Sequence, residues 1–130
     1  MGSVGNPTLC VVVEDDGLLR LDAVLLLEEA GFEVREFVSV DKALAYLETQ
    51  APGVILVFTD VHTPGSLNGV TLAQVASERW PWIKTLITSG TVSTVVDRIP
   101  AGSTFMRKPW RASEVLAQAA MAAQHASHDD

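Results

Sequence analysis

The chain has 130 residues, 48% of them hydrophobic, which is enough for one domain with a substantial buried core. Its formal net charge of −7, with nine scattered Lys and Arg residues, excludes the basic patch that nucleic-acid binding requires. One cysteine excludes an internal disulfide, and the absence of a signal peptide or of an apolar run of about 18 residues favours a cytoplasmic protein that does not insert into membranes.

The first strand is predicted close to the N-terminus. Residues 1–8 include two glycines and a proline and are expected to form a disordered leader. The apolar, mostly β-branched run Leu9–Val13 predicts the strand itself. Cys10 lies within this run and is expected to be a small core residue rather than a nucleophile.

Two helices and a weaker strand are predicted next. A helix is expected over Leu18–Ala30, with Gly31 as its C-terminal stop, and the second strand over Val34–Phe37. Ser39 is a plausible N-cap for a second helix that runs through Glu48. The residues predicted to share one helix face are Leu18, Leu21 and Leu25 in the first helix and Ala43, Leu44 and Leu47 in the second.

The middle of the chain carries the most informative stretch. The apolar run Val54–Phe58 has no polar alternation, which is typical of a strand covered on both faces in a parallel sheet. It stops at Asp60, and a loop rich in Pro and Gly follows as far as Gly69. Because ligands of open α/β sheets bind at the carboxyl ends of strands, Asp60 is the candidate reactive residue.

The second half repeats the alternation of strands and helices. In order, a helix, a strand, a short helix, a strand and a final helix are predicted over Val70–Trp80, Ile83–Thr88, Ser93–Ile99, Thr104–Arg107 and Ala112–Gln124. Residues 125–130 are expected to be a polar tail, so the domain would span residues 9–124.

This order of elements predicts an α/β fold, a three-layer sandwich of five strands and five helices around a parallel sheet. Right-handed crossovers leave few topologies for such a chain. Among them we favour the flavodoxin-like strand order 2-1-3-4-5, which sets the first and third strands side by side.

That order brings three carboxylates together. Glu14 and Asp15 follow the first strand, and Asp60 ends the third. Carboxylates this close repel one another unless a positive group lies among them. Ligands that are all oxygen suit a hard cation, and a site with few carboxylates and open water positions suits Mg²⁺ better than Ca²⁺.

Two further strand ends complete a pattern suited to phosphoryl transfer. Lys108 follows the fifth strand and Thr88 ends the fourth, with Ser89 as the alternative hydroxyl. A metal ion, a lysine and a hydroxyl are the groups that stabilise a phosphoryl unit in transfer, and Asp60 could be its nucleophile. No Ser/His/Asp order, no histidine spacing for a metal and no Gly-rich phosphate loop competes with this hypothesis.

These residues resemble the receiver domain of bacterial two-component response regulators, over about Leu9 to Ala123. The motifs that carry the resemblance are Val11-Val12-Val13-Glu14-Asp15-Asp16, Phe58-Thr59-Asp60 with Pro64 and Gly69, Thr88-Ser89-Gly90 and Lys108-Pro109. The resemblance implies a CheY-like switch that takes a phosphoryl group from a histidine kinase or a phosphotransfer protein. Such a switch catalyses its own phosphorylation and dephosphorylation without being an enzyme in the usual sense.

The resemblance also implies a role for each residue. Asp60 would be the phosphoacceptor. Asp60, Asp15 and the backbone carbonyl of His62 would bind Mg²⁺, and Glu14 would act mostly through water. The position of Gly31 favours Asp15 over Asp16 as the direct ligand.

The remaining implied roles concern the switch. Thr88 would be the switch hydroxyl, Phe105 the aromatic switch residue, and Lys108 the partner of the phosphoryl group, joined to Pro109 by a cis bond. A downstream protein target would bind the face formed by the predicted fourth helix, the fifth strand and the last helix.

The sequence also departs from the family pattern. Thr63 stands where the family commonly has Met, which removes apolar packing under the loop and is expected to loosen it. The stretch Gly65–Asn68 is slightly long and the predicted fourth helix is short. Three alternatives therefore remain: a docking module that is not phosphorylated, a receiver that is part of a larger regulator, and a small flavodoxin-like enzyme that binds a nucleotide or flavin.

Overall fold

All five predicted strands join one parallel sheet in the computed structural model, which describes residues 8–91 and 97–128. Numbered in chain order, the strands are β1 Leu9–Val13, β2 Glu33–Phe37, β3 Val54–Asp60, β4 Lys84–Ser89 and β5 Thr104–Arg107. Their order across the sheet is β2-β1-β3-β4-β5, and every adjacent pair is parallel. The predicted flavodoxin-like order is confirmed.

Within the described residues, four α-helices lie on the sheet. They are α1 Gly17–Glu29, α2 Val40–Gln50, α3 Gly69–Arg79 and α4 Ala112–His128, and a short 3₁₀ turn, Ala51–Gly53, leads into β3. The last helix continues beyond Gln124 into the segment predicted to be a polar tail. The predicted leader, except Thr8, and most of the predicted short helix at 93–99 lie outside the described residues.

Each face of the sheet has its own apolar layer. Helices α1 and α4 cover one face, where Ala23, Val24 and Leu27 of α1 and Val115, Ala119 and Ala122 of α4 are buried. Helices α2 and α3 cover the other face, through Val40, Ala43, Leu47, Leu72 and Ala76. Since both faces are covered, all seven residues of β3 are buried, as the unbroken apolar run predicts for Val54–Phe58.

Helix α1 does not bury the leucines that the sequence places on one face. Leu18, Leu21 and Leu25 are 76%, 49% and 47% exposed, whereas Ala23, Val24 and Leu27 face the sheet. The helix carries leucines on several sides, so its periodicity alone does not select the buried face. Ala23, Val24 and the fully buried Leu27 lie in the same apolar layer as Val115, Ala119 and Ala122 of α4.

The ends of β1, β3 and β4 lie at one edge of the sheet. Val13 is paired with Thr59, and Asp60 with Thr88. The backbone amide of Val61 donates to the Thr88 carbonyl at 2.9 Å and continues the ladder past Asp60. In the described parts of the chain, no helix is long and apolar enough to cross a membrane.

Candidate functional site

Three carboxylates meet at the carboxyl edge of the sheet. Glu14, Asp15 and Asp60 each offer an oxygen, and the three oxygens lie within 4.8 Å of one another. Six ligands at about 2.1 Å from a Mg²⁺ ion stand about 3–4 Å apart, so the spacing and the all-oxygen chemistry fit this ion. Glu14 and Asp60 are buried, whereas Asp15 is exposed at the rim.

The side chain of Lys108 lies against two of these carboxylates. Its Nζ donates to Glu14 Oε1 and to Asp60 Oδ2, both at 2.9 Å. The lysine side chain is 20% exposed, and the two carboxylate side chains are 7% and 9% exposed. The ammonium group therefore balances much of the acidic charge of the site in a partly desolvated environment.

These contacts change the pKa values of both partners. Burial raises the pKa of Glu14, the Lys108 hydrogen bond lowers it in part, and the net direction is upward. Burial alone would lower the pKa of Lys108, but the hydrogen bonds and charges of Glu14 and Asp60 together outweigh it and raise this pKa. Lys108 consequently stays charged in the site.

The structure separates the roles of the neighbouring acids Asp15 and Asp16. Asp16 is the N-cap of α1, because its Oδ1 accepts hydrogen bonds from the amides of Leu18 at 3.0 Å and Leu19 at 3.2 Å. Its own amide donates to Glu14 Oε2 at 3.1 Å. Asp15, in contrast, contributes its carboxylate to the acidic cluster. An acid directly before a helix is a cap signal that could have been recognised in the sequence.

The two candidate hydroxyls of β4 differ in their partners. Ser89 Oγ lies 3.3 Å from Thr91 Oγ1 and accepts a hydrogen bond from the Thr91 amide at 3.2 Å. Thr88 is 2% exposed, and its Oγ1 is the one buried side-chain polar atom of the described residues without a hydrogen-bond partner. Thr88 also lines a cavity of about 10 Å³, the size of one water, together with Glu14 and Asp60.

The remaining predicted site residues surround this centre. His62 is exposed, and its backbone amide donates to Asp60 Oδ1 at 3.3 Å. Phe105 is half-buried on β5, where it is paired with Ile87 and packs against Val61 and its apolar neighbours. The peptide bond between Lys108 and Pro109 is cis.

The loop after Asp60 is held by contacts that the sequence analysis did not predict. The side chain of Asp41, in the first turn of α2, accepts hydrogen bonds from Ser66 Oγ at 2.9 Å and from the Leu67 amide at 3.1 Å. Thr63 Oγ1 accepts from the Val40 amide at 3.2 Å. A polar attachment to α2 thus replaces the apolar packing whose loss was expected to loosen the loop.

Solved structures with this fold are known from several organisms. A response regulator receiver protein from Sinorhizobium medicae WSM419 superposes with a TM-score of 0.83 at 24% identity, over 90% of this chain and 94% of that chain. A CheY-like receiver domain protein from Methanospirillum hungatei JF-1 gives 0.82 at 21% identity, over 95% and 98%. NtrX from Brucella abortus gives 0.74 at 27% identity, over 92% of this chain but 28% of the longer NtrX chain.

Comparison of the sequence with protein-family models identifies the same kind of domain as the structural comparison does. The family model for the response regulator receiver domain matches residues 10–120, which include every residue of the site and all five strands except Leu9, the first residue of β1. With this match across most of its length, the chain belongs to the response regulator receiver domain family.

Proposed function

We propose that this receiver domain accepts a phosphoryl group on Asp60 and thereby switches a protein-binding surface. The observation that carries the proposal is the position of the Lys108 ammonium group between Glu14 and Asp60, beside the rim carboxylate of Asp15. Domains of this family serve two-component signalling as switches rather than as conventional enzymes.

In the transfer step, a carboxylate oxygen of Asp60 forms the new O–P bond. The N–P bond of a phosphohistidine donor breaks, and its electron pair leaves with the imidazole nitrogen, which takes up a proton. Lys108 already lies 2.9 Å from Asp60 Oδ2, so its ammonium group can pair with a phosphoryl oxygen without a large movement.

The residues that would hold Mg²⁺ are Asp15, Asp60 and the carbonyl of His62, with Glu14 acting through water. When bound, the ion would neutralise charge on the oxygens of the transferring group. Glu14 accepts hydrogen bonds on both of its carboxylate oxygens, from Lys108 and from the Asp16 amide, which favours an indirect role.

Phosphorylation would then act on Thr88 and Phe105. The modification adds about −1.5 to −2 charges and strong acceptor oxygens next to a buried hydroxyl that lacks a partner. We expect Thr88 Oγ1 to move toward the phosphoryl group and Phe105 to repack from its half-buried position on β5. The change would reach the surface formed by the segment before β5, β5 itself and α4, where a downstream protein would bind.

The partner that supplies the phosphoryl group is proposed to be a histidine kinase or a phosphotransfer protein. The chain resembles receiver proteins of nearly its own length and also 28% of the longer NtrX chain. A receiver joined to further domains would use the same chemistry, so this alternative concerns how the signal leaves the domain rather than the site.

The test is treatment with acetyl phosphate and Mg²⁺, followed by intact mass measurement. We expect a phosphate-sized gain in the wild type and none in Asp60→Asn, while Asp97→Asn, at an exposed acid, gains as the wild type does. An equal gain in Asp60→Asn would assign the acceptor elsewhere. No gain in the wild type would favour the docking module that is not phosphorylated.

A further inference from the structure

Arg20 connects three elements next to the acidic cluster. It lies in α1, its Nη1 donates to the backbone carbonyl of Glu14 at 2.9 Å, and its Nε donates to Glu36 Oε1 at 2.9 Å on β2. The arginine side chain is 22% exposed, so its aliphatic part is largely covered. None of the chemistry described above uses this residue.

The contact with Arg20 holds the second of the two peptide groups that flank Glu14. The Glu14 amide donates to the Phe37 carbonyl at 3.0 Å, and the Glu14 carbonyl accepts from Arg20. The backbone on both sides of Glu14 is therefore held, and this backbone leads directly into Asp15. The bidentate geometry of a guanidinium allows it to bond the carbonyl and the Glu36 carboxylate at once.

Asp15 depends on this backbone for its orientation. Within residues 8–91 and 97–128, no hydrogen bond or ion pair involves the Asp15 carboxylate, although it contributes an oxygen to the acidic cluster. Glu14 and Asp60, by contrast, are held directly by Lys108. The position of the Asp15 carboxylate is therefore fixed only by the backbone that carries it.

We infer that Arg20 is a positioning residue for the metal site: through the Glu14 carbonyl it orients the Glu14–Asp15 peptide so that the Asp15 carboxylate faces the shared cation position. The inference rests on the proposed function. It also predicts that loss of the arginine weakens Mg²⁺ binding, which is the opposite of the effect expected from the loss of a positive charge alone. Removal of a cation near the site would by itself strengthen Mg²⁺ binding, whereas loss of positioning weakens it.

The ion pair between Arg20 and Glu36 limits the effect of the arginine's charge on Mg²⁺ binding. Because Glu36 neutralises the guanidinium, a cation in the acidic cluster experiences little net repulsion from the pair, and salt screens it further. Loss of a residue that orients a metal ligand commonly weakens metal binding by about tenfold or more. Positioning is therefore expected to dominate.

The experiment is a Mg²⁺ titration followed by tryptophan fluorescence, since Trp110 lines the same small cavity as Glu14 and Asp60. We expect Arg20→Gln to raise the Kd for Mg²⁺ by about tenfold. Arg20→Lys, which keeps the charge but replaces the planar guanidinium fork with a single ammonium nitrogen, should fall in between. Arg35→Gln is the matched control, because it removes the same charge from a guanidinium that contacts only β2, and its Kd should stay within about twofold of the wild type.

A second measurement tests the positioning role of Arg20 in the absence of the metal. In Mg²⁺-free protein, Arg20→Gln should speed hydrogen exchange at the Asp16 amide, which bonds Glu14 Oε2, and leave exchange in β3 unchanged. Glu36→Ala keeps the arginine and removes one of its two hydrogen-bond partners, so it tests the same contact if Arg20→Gln fails to fold. It should likewise speed hydrogen exchange at the Asp16 amide in Mg²⁺-free protein, an effect that the freed charge of Arg20 does not produce.

The outcomes separate this inference from the proposed function. If the wild type binds Mg²⁺ and is labelled by acetyl phosphate, yet folded Arg20→Gln binds Mg²⁺ equally well or more tightly, the positioning role alone is overturned. If the wild type neither binds Mg²⁺ nor is labelled, the proposed function fails first, and the inference fails with it.

Discussion

The Nζ atom of Lys108 lies 2.9 Å from Glu14 Oε1 and 2.9 Å from Asp60 Oδ2, although these residues are 94 and 48 positions away in the sequence. The contact joins the ends of β1, β3 and β5 and compensates two buried carboxylates at once. Glu14 and Lys108 consequently respond together to pH, to metal and to substitution.

Lys108→Met should destabilise the Mg²⁺-free protein. The substitution leaves Glu14 and Asp60 buried without their cation, which is expected to lower the free energy of unfolding by ~1–3 kcal/mol. Mg²⁺ should restore more stability to this variant than to the wild type, because the ion no longer competes with an ammonium group. Urea unfolding with and without Mg²⁺ measures both effects, and Lys42→Met on the exposed side of α2 is the control. Equal Mg²⁺ stabilisation of wild type and Lys108→Met would contradict the bridging role.

Glu14 should make the Mg²⁺-free protein less stable as pH rises. Burial raises the pKa of Glu14 above its ordinary value of 4.5, so the folded protein holds this proton more tightly than the unfolded chain does. The corresponding stability is complete below pH 4.5 and is lost as the pH rises through the raised pKa. Glu14→Gln has no such loss.

The stability of Glu14→Gln relative to the wild type should therefore increase over this pH range, with a slope of at most about 1.4 kcal/mol per pH unit. Urea unfolding in the presence of a chelator, at a series of pH values, gives the difference directly. Glu78→Gln, at an exposed position of α3, controls for general charge effects. A difference that stays flat or falls with pH would show that Lys108, not burial, controls Glu14.

Thr88→Val should separate the stability of the resting protein from its response to phosphorylation. Valine removes a buried hydroxyl that has no partner, so the free energy of unfolding is expected to rise by ~1 kcal/mol. Labelling by acetyl phosphate should persist, but the change in hydrogen exchange around β4 and β5 on labelling should shrink. Thr88→Ser keeps the hydroxyl and should retain that change. A full exchange response in Thr88→Val would remove Thr88 from the switch.

Gly69→Ala should disturb the strand end that carries Asp60. A methyl group at Gly69 would meet the Asp60 carbonyl oxygen and stand 3.0 Å from Val61 Cα, where only backbone could move aside. We expect a loss of ~1–3 kcal/mol in stability and weaker Mg²⁺ binding. Gly53→Ala is the matched control, because nothing lies within 4 Å of a methyl group there. Thermal unfolding of both variants tests this prediction, and a Gly69→Ala variant as stable as the wild type would contradict the predicted clash.

The candidate site was predictable to the extent that it consists of strand ends. Glu14, Asp15, Asp60, Thr88 and Lys108 each lie at the end of a predicted strand or within two residues after it, and a parallel sheet collects such ends at one edge. Asp16 carries a cap signal, but the predicted helix began at Leu18, one residue late, so the sequence analysis did not assign this acid to the cap. Arg20 and Asp41 gave no signal, since their partners, both backbone and side-chain groups, lie in other elements or loops that only the fold brings near.

The amino-acid sequence by itself determined the strands, their alternation with helices and the chemistry at the strand ends. Short apolar runs can be satisfied only by burial on both faces, and the polar residues after them must then lie at the edge. The tertiary structure decided which face of α1 is buried and which acid caps it. Leucines at 18, 21 and 25 satisfied the helical period as well as Ala23, Val24 and Leu27 did, and only the packing of α1 in one apolar layer with β1, β3 and α4 distinguished the two faces.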